Sequence, residues 1–150
     1  MTENKIKLGT FGILQRHGKI LLGLRSADDK SFPNKWGHIG GGVEFGEDVA
    51  TTLTREFMEE VGMQVFVKRD YTAVHEYITP DRHVLLVFKE VMAGSDLVEP
   101  QPLDGIQKVA WFSFKEIEEL CRTNQSTPLT WTATLGFESH RLEKPNKTLT

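Results

Sequence analysis

A run of three glycines, Gly40-Gly41-Gly42, leads into a segment closed by Gly62, and only one kind of local structure can organise what lies between. Val49, Leu53, Phe57 and Val61 recur every fourth residue, a rhythm that one face of a helix satisfies and a strand does not. Asp48 is suited to the start of that helix and Gly62 to a left-handed cap at its end. With about 100° per residue and Val49 at zero, the apolar stripe runs from about 0° to 120°. Glu60 then falls at about 20°, Glu56 at about 340°, Glu59 at about 280° and Arg55 at about 240°. Two carboxylates therefore edge the buried stripe and the third stands beside them. Like charges three and four residues apart on a helix repel, and charge at a buried edge is costly unless paired or metal-bound. A hard divalent cation is the simplest counter-charge. Arg55 can reach back two turns to Glu47, an orienting ion pair that leaves the other three glutamates as ligands or base. Glutamate-rich helices are most often solvated faces, but here the glycines add a second wall where backbone can approach a ligand and offer carbonyls to a metal.

The rest of the chain narrows the class. The net charge of −3 argues against a general nucleic-acid binder, so no long nucleic acid is expected as a partner. The single cysteine, Cys121, excludes an internal disulfide and suits a reducing compartment. Met1-Thr-Glu-Asn-Lys has no apolar signal-like run and no stretch approaches a membrane span, so the expected location is cytoplasmic, with no membrane partner. One domain over residues 1–150 is expected, with a frayed tail at 144–150, no repeats and no linker.

Apolar β-leaning runs at 6–15 and 19–24 around Arg16-His17-Gly18 predict a hairpin. A polar loop follows at 25–35. After the glutamate helix the pattern predicts a strand over 63–75, a turn at Thr79-Pro80-Asp81, and a continuous, central strand over 84–91. Residues 93–105 read as a loop and 109–112 as a short strand. Ser113 and Glu116 form a capping box for a helix to about Cys121. From Thr123 onward no clear period emerges. The order predicts an α+β fold, an α/β/α sandwich with a mixed β-sheet between helical layers.

Gly41, five residues, Glu47, seven residues, then Arg55-Glu56-Phe57-Met58-Glu59-Glu60-Val61-Gly62-Met63 resembles the Nudix box, with every charged and glycine position present. The step before it departs from the family's Pro-Gly-Gly, because Ile39 stands where proline is common. The looser resemblance spans about residues 8–120. It implies a Nudix fold and hydrolysis of a nucleoside diphosphate linked to another moiety, with Mg2+ as cofactor and Mn2+ as a substitute. It further implies Glu56 and Glu60 as principal metal ligands, Glu59 as a third, the Gly40 carbonyl completing the shell, and Glu47 with Arg55 as the structural pair. For the general base, Glu59 is the first choice and Asp104 or Glu99 the loop candidates. Many family members pair as homodimers, which makes a homodimer an expected assembly here.

Substrate choice lies outside the box. Pro80-Asp81-Arg82-His83 resembles a segment of the MutT-like triphosphate hydrolases, which nominates Asp81 and Arg82 as substrate contacts, although Pro-Asp is also a common turn pair. Arg25 at a strand end is a candidate phosphate or base contact. Phe32, Trp36 and Trp131 could stack a base or simply fill the core; Trp36 is the chosen contact. His38, His75 and His83 have no zinc-ligand spacing. The expected substrate is a small nucleotide, foremost a nucleoside triphosphate, standard or oxidised, cleaved to the monophosphate and pyrophosphate. The alternatives are ADP-ribose, a sugar nucleotide or a dinucleoside polyphosphate, and a non-catalytic sensing module that would normally have lost glutamates this chain retains.

Overall fold

The structure is a computed structural model and describes residues 4–143. The expected tail at 144–150 lies outside the described residues. Strands β1 (Ile6–Arg16) and β2 (Lys19–Arg25) flank His17-Gly18, both at positive φ (52° and 76°). Those are the dihedral signs of the two-residue turn that matches strand twist, so the predicted hairpin forms. Short strands β3 (Trp36–Gly37) and β4 (Ile39–Gly42) follow, then α1 (Val49–Val61), β5 (Val65–Thr79), β6 (Arg82–Ala93), β7 (Ile106–Phe112), α2 (Phe114–Arg122) and α3 (Thr130–Glu143). The sheet runs β3-β2-β1-β6-β5, with β4 pairing β1 and β7 pairing β2. The β1–β6 pair is parallel and the others antiparallel, giving the expected mixed sheet in an α+β fold. β6 lies between β1 and β5, an interior position that suits its apolar sequence.

Helices cover both faces of the sheet, as alternation along the strands shows. Leu14, Leu21 and Val91 pack with Leu53, Phe57 and Val61 of α1, whereas Ile13, Ile20, Leu22 and Phe88 pack with Ile117 of α2 and Ala133 and Phe137 of α3. Neighbouring residues on one strand thus serve opposite layers. β5 changes layer midway: Val65 joins the α1 side and Tyr71 the α2–α3 side, six residues on. A register shift between Val67 and Thr72 supplies the odd offset that flips the side chains.

Three elements differ from the sequence expectation. β5 continues to Thr79 and meets β6 through Pro80-Asp81 alone, so the expected strand over 63–75 and the separate turn segment are one long hairpin. The glycine run is itself a strand, with Gly40 and Gly41 opposite Phe11 and Thr10 of β1. The featureless C-terminal region holds α3, whose buried stripe is Thr130, Ala133, Thr134 and Phe137. Its spacing is helical, but two threonines in the stripe hide it from hydropathy. The Ser113–Glu116 capping box forms as expected: the Glu116 amide donates to Ser113 Oγ (3.2 Å) and the Ser113 amide to Glu116 Oε1 (2.8 Å).

Candidate active site

α1 begins at Asp48, whose Oδ1 accepts from the Thr51 amide at 2.7 Å, and stops at Gly62, whose φ of 69° belongs to the left-handed region. Leu53, Phe57 and Val61 sink into the sheet, which fixes the helix rotation and brings Glu56 and Glu60 to the edge of β4. A Cβ on Gly41 would lie 2.6 Å from Glu56 Oε1, so glycine is what allows the carboxylate to rest against that strand.

Arg55 is the hub of the carboxylates. Its Nε and Nη2 each donate to Glu47 at 3.0 Å in a bidentate fork, while Nη1 donates to Glu56 at 2.9 Å and approaches Glu59 at 3.4 Å. The fixed guanidinium fork matches a carboxylate as a lysine cannot. Thr52, buried in the first turn, donates its hydroxyl to Glu47 Oε1 at 2.6 Å. Arg55 first and Thr52 next hold the Glu47 pKa down to about 2. Glu44, which carried no signal in the sequence, lies 4.0 Å from Arg55.

Glu60 behaves oppositely. Burial first, then the hydrogen bond and charge of neighbouring Glu56, push its pKa up to about 9, against opposing pulls from Arg25 and the Gly40 amide. Arg55 serves as counter-charge to Glu56, and the neighbouring Glu60 carboxyl is left favouring its protonated form. That fits a cation site: the donors are all oxygen, of the hard type suited to Mg2+ or Mn2+, and a cation would take the place of the Glu60 proton. Among the described residues, however, no three acidic, histidine or cysteine side chains form a ready-made metal cluster. Glu56 and Glu60 meet, whereas Glu59 is half-exposed and faces Arg55. Gly40, expected to offer its carbonyl, makes its visible contact through the N–H it donates to Glu60.

The loop candidates separate. The Gln101 and Leu103 amides donate to the Val61 and Glu60 carbonyls (3.0 and 2.9 Å), pinning the loop that carries exposed Asp104 to the end of α1. Glu99 instead pairs with Arg16 at 3.3 Å.

A cleft with an open mouth lies on the α3 side of the sheet, its interior about 90 Å3. Phe11 and Phe88, stacked at 5.7 Å, form one wall, and Phe32 closes the mouth edge-on to Tyr77 at 5.8 Å with the Arg82 guanidinium over its ring at 5.7 Å. Arg25 lines the cleft, bonds Asp29 at 2.8 Å and acts electrostatically on Glu60, linking cleft and carboxylates. Of the four expected substrate contacts, Arg25 and Arg82 are therefore in the cleft wall. Trp36 is not: its ring packs at 4.9 Å against Phe112, where its apolar surface is better buried. Asp81 sits at the exposed β5–β6 turn, its amide donating to Thr79 Oγ1 at 3.3 Å, and borders a separate polar hollow. His38, considered in the sequence only as a zinc ligand, reaches the cleft from beside the glycine strand; burial holds its pKa down to about 4. No pattern in the sequence marked it, because its neighbours in space come from β6 and α3.

A two-layered helix arrangement around a mixed sheet, with a charged helix of this geometry, defines a hydrolase of the Nudix class. The NUDIX domain family model matches residues 4–132, and the chain belongs to that family, whose members act on nucleoside diphosphate-linked compounds and generally use divalent metal ions. The nucleoside triphosphatase NudI of Enterobacter sp. (strain 638) is 29% identical over 131 residues, covering 80% of this chain and 90% of its own. Among solved structures, the E. coli ORF135 protein superposes with a TM-score of 0.72 at 26% identity, covering 96% of each chain. A MutT protein from Methanosarcina mazei Go1 shares the fold with a TM-score of 0.77 at 16% identity, covering 96% of this chain and 100% of its own. Among the described residues no helix is long and apolar enough to cross a membrane.

Proposed function

We propose that this chain is a Mg2+-dependent pyrophosphohydrolase of nucleoside triphosphates, yielding the monophosphate and pyrophosphate, with Mn2+ able to replace Mg2+. The observation that carries the reading is the half-buried Glu56–Glu60 pair, joined by Arg25 to an aromatic-walled cleft. The resemblance to enzymes named nucleoside triphosphatases supports the substrate class. Work on free nucleotides fits the net charge of −3, which offers no general nucleic-acid surface.

Glu56 and Glu60 would hold the metal, with Glu59 entering the shell by leaving Arg55. A divalent cation held there would neutralise phosphate charge and lower the pKa of a water beside it. Arg55, locked by Glu47 and Thr52, fixes the orientation of Glu56. The attacking water forms a bond to phosphorus as the bridging P–O bond breaks and pyrophosphate leaves. Its proton passes to a carboxylate, for which half-exposed Glu59 is the first choice and Asp104, held beside the end of α1, the second. Arg25 contacts the phosphates or sugar between the two regions, and Arg82 with Phe32 covers the base.

A panel of nucleoside triphosphates, ADP-ribose and sugar nucleotides, assayed with Mg2+, tests the reading. Pyrophosphate release from a triphosphate is expected. Cleavage of ADP-ribose or a sugar nucleotide with triphosphates untouched would overturn it.

A further inference from the structure

Inside the cleft one imidazole has an unused atom, and the hydrogen bonds around it say which kind. His38 is 4% exposed. Its Nε2 lies 3.1 Å from Thr134 Oγ1, and that hydroxyl donates its only hydrogen to the Thr130 carbonyl at 2.7 Å. The Thr134 oxygen can therefore only accept from His38, which places the ring proton on Nε2. Nδ1 is left as a bare acceptor, buried and without a partner among the described residues. Buried polar atoms are normally satisfied, and one without a protein partner in a ligand cleft points to the ligand.

We propose that His38 Nδ1 reads the substrate base by accepting a hydrogen bond from an exocyclic amino group, as in cytosine or adenine. The proposal rests on reading the cleft as the nucleotide site. An acceptor calls for an N–H donor from the ligand. An amino group reaches it as the outermost atom of the base. The imino N–H of uracil would carry two flanking carbonyls in with it, against the apolar wall of Phe11 and Phe88. Thr134 is the positioning residue that fixes the tautomer, and the aromatic groups supply affinity without choosing between bases.

Paired ligands differing only in the amino group provide the test. Binding of α,β-methylene analogues of the cytidine and adenosine triphosphates is compared by calorimetry with their deamino counterparts, built on pyrimidin-2-one and purine. For whichever base binds better, loss of the amino group is expected to weaken binding about tenfold or more. In His38→Leu the difference should shrink to about twofold or less. In His38→Asn, whose amide oxygen can stand near the position of Nδ1, it should largely return. Because the readout is a ratio within each protein, a partial loss of folded material does not mimic it. Equal binding of amino and deamino ligands, tighter binding of uridine than of either amino base, or a preference that survives in His38→Leu would overturn the proposal. Cleavage of the natural triphosphates is measured separately. Amino selectivity without pyrophosphate release refutes the hydrolase reading alone, and release without selectivity refutes the role of His38 alone.

Discussion

The two faces of the sheet are built by different rules. On the α1 face, the charged groups lie in one stretch of chain: Glu47, Thr52, Arg55, Glu56 and Glu60 fall within fourteen consecutive residues, the last four of them on one helix. On the opposite face, the cleft draws Phe11, Arg25, Phe32, His38, Arg82 and Thr130 from separate elements. The α1 face carries charge at the edge of its core, balanced by Arg55 and suited to a cation. The α3 face sets the guanidinium groups of Arg25 and Arg82 and the polar atoms of His38 and Thr130 in an otherwise largely apolar wall. In the proposed reading, reaction chemistry is thus local in sequence, while substrate choice is assembled at long range.

Substitutions can break that division, beginning with the largest effect. Glu60→Gln should lower turnover by several orders of magnitude with unchanged circular dichroism, since the lost group is the proposed metal ligand and not a packing element. Near-normal activity from the folded variant would end the metal assignment. Phe137→Ala, on the other face, should cost about 3–5 kcal/mol in denaturant unfolding, the usual range for emptying a buried aromatic site. Its kcat should change far less than that of Glu60→Gln. Arg55→Lys keeps the charge but loses the fork, and should lower kcat/KM about 10–100-fold, as expected for a group that orients a ligand. Phe32→Ala should raise KM roughly tenfold with little change in kcat, the size of one lost stacking contact. The acid side gives the smallest effect. Glu47 is more acidic folded than its usual 4.5, so its contribution is complete above that value and fades as pH falls toward about 2. Glu47→Gln should flatten that part of the stability–pH curve.

What could be read in advance follows the same boundary. The hairpin at His17-Gly18, both caps of α1 and the Ser113–Glu116 box depend on residues a few positions apart, and each formed where the sequence indicated. The helical wheel also placed Glu56 and Glu60 inward and Glu59 beside them, because a single helix needs no knowledge of its neighbours. α3 was hidden because Thr130 and Thr134 count as polar until the hydrogen bonds of the fold satisfy them. The packing of Trp36 against Phe112 was not legible, because Phe112 lies on a strand far along the chain. His38 gave no signal, since its significance arises only when α3 engages one of its nitrogens.

In the proposed metal site Glu60 gives up its proton as a divalent cation binds. Calorimetric titration with Mg2+ near pH 7.5, in buffers of different ionisation enthalpy, measures that exchange directly. With Glu60 at about 9 before binding, the parent protein should release about one proton per site and Glu60→Gln none. Mg2+ binding to the parent without proton release, or equal release from Glu60→Gln, would contradict the account.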